Sequence, residues 1–121
     1  MASKKEAFDH ALSALDLLTH HQINLSLMLK IRDELRFVVR KLIDTLSTAD
    51  TPSKNEAKEV LFYQNLLQSL EQGIQNRDLS SVRWVEKSLK HHLLKKAPNN
   101  QLLHHLLSVK QDWIPDTIAE N

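Results

Sequence analysis

Met28, Ile31, Leu35, Val38, Val39, Leu42 and Leu46 recur at three- and four-residue spacing. That is the period of one helix face. The stripe predicts a helix from about residue 25 to residue 47, roughly 34 Å long. Asn24 is its expected cap, and Ile23 and Met28 flank it as a hydrophobic staple.

The same spacing recurs on both sides of this helix. Phe8, Ala11, Leu12, Leu15 and Leu18 predict a first helix. It should open at Ser3, where "SKKE" has the form of a capping box with Glu6, and stop near "THHQIN". "STADTPSKN" is a loop by composition. "SKNE" at Ser53–Glu56 then opens a third helix, with Val60, Tyr63, Leu67, Leu70 and Ile74 on one face. Gly73 stands where a left-handed C-terminal cap belongs.

Asp78 is the expected cap of a fourth helix with Val82, Val85, Leu89 and Leu93 inward. Pro98 breaks that helix, and Asn100 caps a fifth with Leu102, Leu103, Leu106, Val109 and Trp113, ended by Pro115.

Connections of about four or five residues join helices one and two, three and four, and four and five, so neighbours should run antiparallel. The expected fold is all-α: an antiparallel up-down bundle of four helices with a short fifth C-terminal helix. Residues 1–121 form one domain in this reading, with loose ends at 1–3 and 115–121. One glycine and three prolines, among many Leu, Lys, Gln and Glu, agree with helix almost throughout.

Two absences narrow the chemistry. Without cysteine there is no disulfide and no thiolate metal site. No run approaches the ~18 apolar residues of a membrane span, and "MASKKEAFDH" has no signal-peptide core. The expectation is a protein that does not enter a membrane and is cytoplasmic, or leaves the cell by a route without a signal peptide.

Charge is unevenly placed. The chain totals +1, while residues 74–98 alone carry +4 and residues 24–48 carry +2. In the fourth helix, Arg83, Lys87 and Lys90 fall on one flank, and Trp84, His91 and Lys95 form the next line round. A cationic strip beside an exposed tryptophan suits an acidic protein surface, with Trp84 as anchor. It also suits phosphates and a stacked base, or it is a solvated face whose lysine stems cover the ring. In the second helix, Arg32, Arg36 and Arg40 form a further strip, and Phe37 lies among polar residues. Phe37 there is a scattered exposed residue, or is covered by the fifth helix or the tail, or belongs to a partner or homodimer interface.

Seven histidines, six of them in the three pairs His20-His21, His91-His92 and His104-His105, raise the question of metal. Adjacent helical residues point about 100° apart, so no pair closes on one ion alone. No His-x-x-x-His, Glu-x-x-His or His-Glu-x-x-His occurs. Asp9, Asp16 and His20 fall on one line and are the remaining metal candidates. His92 leans toward the core side and His91 away from it, while His104 and His105 lie off the apolar arc, so most of the histidines are expected to be exposed or half-exposed and unpaired; no cofactor is called for.

Catalysis finds no support in motif or spacing. A single glycine leaves no phosphate-cradling loop, and no nucleophile elbow occurs. The sequence therefore points to a small non-catalytic protein that docks on another protein, of adaptor, chaperone, immunity or inhibitor type. A nucleic-acid-binding module using helices two and four is the alternative, and a metal-binding bundle is third. The sequence pI of about 8.1 favours protein over nucleic acid.

Overall fold

In the computed structural model the described residues are 2–48 and 54–108. They form five helices: α1 (Ala2–His20), α2 (Leu25–Thr48), α3 (Lys54–Asn76), α4 (Leu79–Lys96) and α5 (Gln101–Ser108). There is no strand among the described residues. Each helix packs on the next from α1 to α4, α1 also meets α4, and α5 rests on α1.

Cross-helix pairs show the antiparallel sense directly. Glu6 meets Lys41 at 3.4 Å and His10 meets Glu34 at 2.6 Å, so numbering rises along α1 as it falls along α2. Glu59 meets Lys96, and Ser69 donates to the Ser81 carbonyl, so α3 and α4 are related likewise.

The predicted stripes are the core. Met28, Ile31, Leu35 and Val38 of α2 are buried, as are Val82, Val85, Leu89 and Leu93 of α4. On α1, Ala7, Ala11 and Ala14 are buried beside Leu12, Leu15 and Leu18. Small residues on a packing face let helix axes come close. No polar or charged side chain is fully buried among the described residues.

Caps behave as the sequence suggests where they are described. Asn24 accepts from the Leu27 amide at 2.8 Å, and Asn100 from the Leu103 amide at 2.9 Å. Ser3 lies within α1, not ahead of it, because the helix already runs from Ala2. Ser53, Val109 and Trp113 lie outside the described residues.

Gly73 is not the left-handed cap. It is helical, and Arg77 takes the positive φ, 51°. The Asp78 amide donates back to the Gly73 carbonyl at 3.1 Å, the long closing bond of a Schellman motif. Gly73 is needed for closeness instead. A Cβ there would sit 2.8 Å from Val82 Cγ2 and 3.2 Å from the Asp78 carbonyl oxygen. α4 turns back through a connection of only two residues and crosses α3 at that point.

On α3, Leu66 is wholly buried, while Leu67 is only partly so. On α5, Leu103 is wholly buried, while Leu102 remains 69% exposed.

Candidate functional site

α4 is held at its start by Asp78. Its carboxylate accepts from the Ser80 amide at 3.0 Å, the Ser80 hydroxyl at 2.6 Å and the Ser81 hydroxyl at 3.0 Å. Hydrogen bonds from the Ser80 and Ser81 side chains keep this carboxyl below its ordinary range. At the other end the Ala97 amide donates to the Leu93 carbonyl at 2.9 Å.

The rotation of α4 about its axis is set by two opposed features. Val82, Val85, Leu89 and Leu93 face the core. Arg83 reaches across to α1, donating to the Leu18 carbonyl at 3.2 Å and to Glu86 at 2.7 Å. Leu18 lies in the last turn of α1, whose carbonyls have no partner within the helix. Arg83 is therefore a bridge between helices as well as a neighbour of the outer strip, with its side chain 32% exposed.

What remains outside is a cationic face around an aromatic ring. Trp84 is 48% exposed, and Lys87, Lys90, His91 and Lys95 are exposed. Glu86 is the sole carboxylate of α4 and is turned to Arg83. Nothing acidic on this helix neutralises the lysines.

The arginine strip of α2 is partly engaged with α3, and Arg36 and Arg40 stay exposed. Arg32 and Arg36 both reach Glu71 of α3, each at 3.5 Å. Arg32 Nε is buried without a partner, and Arg40 is exposed. The tail lies outside the described residues, and Phe37 is half-buried, with cover from α1. His10 of α1 lies over it with ring centroids 4.0 Å apart, and Lys41 Nζ stands 5.2 Å from the ring. The wheel of α2 alone could not show this, because the cover comes from α1.

The histidines differ from expectation in the same way. His10 pairs with Glu34, His20 with Asp16 at 2.5 Å, and His92 with Glu59 at 2.9 Å. His104 Nε2 bonds the Pro98 carbonyl. His21, His91 and His105 are exposed. Asp9 is exposed too, and it does not join Asp16 and His20 in a ligand set. No group of three or more His, Asp or Glu among the described residues is arranged to hold a metal ion.

The sequence did not reveal one cluster, between α3 and α4. Glu59 receives hydrogen bonds from His92 and from Lys96 Nζ, both at 2.9 Å. Phe62 stacks on His92 at 4.3 Å, and Tyr63 meets His92 edge-on at 5.5 Å. Burial alone would push the Glu59 carboxyl up, but the bonds and charges of His92 and Lys96 outweigh it and hold it below its ordinary value. Burial also drives the Tyr63 phenol upward, with Glu59 adding to it. This arrangement ties two helices together, and Lys95 stands at its edge.

No helix among the described residues is long and apolar enough to cross a membrane. No protein-family model, no curated protein and no solved structure matches the chain.

Proposed function

We propose that this chain is a small helical binding protein without catalytic activity, and that the outer face of α4 docks on an acidic surface of a protein partner. The observation that carries this reading is Trp84, held 48% exposed amid Lys87, Lys90, His91 and Lys95. Large aromatic and cationic groups are the types that dominate binding once desolvated. The core of α4 is filled by four aliphatic residues, and the half-exposed Trp84 is free to contact a partner without disturbing them. Adaptors, chaperones, immunity proteins and inhibitors of this outline act by such contacts, and the outline is analogy at the level of fold.

Protein is favoured over nucleic acid by the near-neutral total charge of +1 and the pI of about 8.1, since nucleic-acid-binding domains are usually more basic.

The test is affinity capture from cells that express the protein, with wild type and a Trp84→Ala, Lys87→Glu variant side by side. A protein retained by wild type and lost by the variant supports the reading. Identical captured sets contradict it. Retention of nucleic acid that falls steeply with salt would favour the alternative.

A further inference from the structure

A second surface has the opposite character to α4. An open groove runs between α1 and α5, with Leu12, Leu102 and Leu106 as its apolar lining and Asp9 and Asp16 on its rim. Its other ionisable lining residues are histidines, and no lysine or arginine among the described residues lines it. Leu102 is 69% exposed, more than any other large hydrophobic residue described. It is fixed in that position because its neighbour Leu103 is wholly buried and anchors α5. Asp9 is exposed, and the Asp16 side chain is 48% exposed although it meets His20.

The groove thus has an apolar lining and an anionic rim. The outer face of α4 has an apolar centre and a cationic rim. We infer that these surfaces pair between two copies of the chain: Trp84 of one copy seats against Leu12, Leu102 and Leu106 of a second, and Lys87 and Lys95 meet Asp9 and Asp16. The inference rests on the reading of α4 as a docking face and assigns that face an occupant.

The two patches are complementary in charge and in apolar character at once. Trp84 is half exposed, so docking removes about half of the ~150–250 Å² that an aromatic side chain buries, and the exposed Leu102 is the main leucine surface that receives it. The lysine–aspartate pairs sit at the rim, where they guide approach and fix register more than they add affinity. Different helices build the two patches, so the contact is heterologous. One aromatic anchor is small beside the ~1,200–2,000 Å² of a stable interface, so the pairing is a concentration-dependent equilibrium.

The test uses the full chain in sedimentation equilibrium over a rising concentration series. One variant spoils the face (Trp84→Ala, Lys87→Glu) and another spoils the groove (Asp9→Lys, Leu102→Lys). All four substituted positions are exposed, and circular dichroism confirms that both variants stay folded. Wild type should rise from 14.0 kDa through twice that mass and beyond, because a heterologous pair still carries one free face and one free groove. Each variant alone should associate at least ~10-fold more weakly, and 0.5 M salt should weaken wild type. A mixture of the two variants should associate again, because each keeps the half that the other lacks. Wild type that stays monomeric overturns the pairing, as do variants that associate like wild type or a mixture that stays at monomer mass. A monomeric wild type that still captures protein through Trp84 would overturn the pairing and leave the docking role of α4 standing. Loss of capture with self-association intact would do the reverse.

Discussion

Arg83 donates a hydrogen bond to the backbone carbonyl of Leu18 at 3.2 Å, joining α4 to the last turn of α1 across 65 positions of sequence. This bond and the four buried aliphatic residues of α4 fix the helix's rotation. Trp84, the next residue, is turned outward as a consequence.

Arg83→Ala should therefore lower stability and leave the outer face in place. A hydrogen bond from a charged group contributes ~1.5–3 kcal/mol, and partial exposure of Arg83 reduces that to about 1 kcal/mol. Urea unfolding measures the loss. An unchanged midpoint would show that the bridge to Leu18 does not hold α4.

Gly73 and Arg77 make a paired test. Gly73→Ala should destabilise by about 1 kcal/mol, since overpacking costs ~1–3 kcal/mol and the better helix propensity of alanine returns only part of it. Arg77→Gly should be neutral or gain up to ~1 kcal/mol, because glycine takes a positive φ without the strain that a side chain brings. Thermal unfolding of both variants checks the assignment. A stabilising Gly73→Ala would contradict the close approach of Val82, and a destabilising Arg77→Gly would contradict Arg77 as the left-handed residue.

Neighbouring and core leucines separate in the same assay. Leu35→Ala should cost ~2–5 kcal/mol, as expected for a wholly buried leucine. Leu102→Gln, at low protein concentration, should stay within ~0.5 kcal/mol of wild type. A large loss at Leu102 would place it in the core.

Glu59 gives a pH prediction with a definite sign. Its folded carboxyl titrates below the ordinary 4.5, so the folded state favours the ionised form. The resulting stability is fully present above the ordinary value and is lost as pH falls through the lowered one. Glu59→Gln should be less stable than wild type at pH 7, and the gap should close well below pH 4.5. Chemical denaturation at the two pH values measures it. A gap that widens in acid would contradict the Glu59–His92–Lys96 arrangement.

The helices were legible in the sequence because each stripe is a local pattern. The stripe of α2 and the inward line of α4 needed only period counting. Leu66 and Leu67 show the limit: adjacent leucines both fit a helical spacing, and only the packed position of α3 decides that Leu66 goes in. Gly73 was misplaced because its reason is the approach of Val82, nine positions away. The site was legible in part. Trp84, Lys87, Lys90, His91 and Lys95 could be placed outside from α4 alone. Arg83, Arg32, Arg36, Phe37, His10 and His92 could not, since each meets a residue of another helix that a single-helix wheel does not contain.

The most direct measurement of the docking role is a calorimetric titration of the captured partner with wild type and with Trp84→Ala. The account predicts a loss of ~2 kcal/mol or more, about 30-fold in affinity, with the thermal midpoint of the free protein unchanged. Equal affinities would contradict it, and a Trp84→Ala protein that melts far earlier would place the tryptophan in the core.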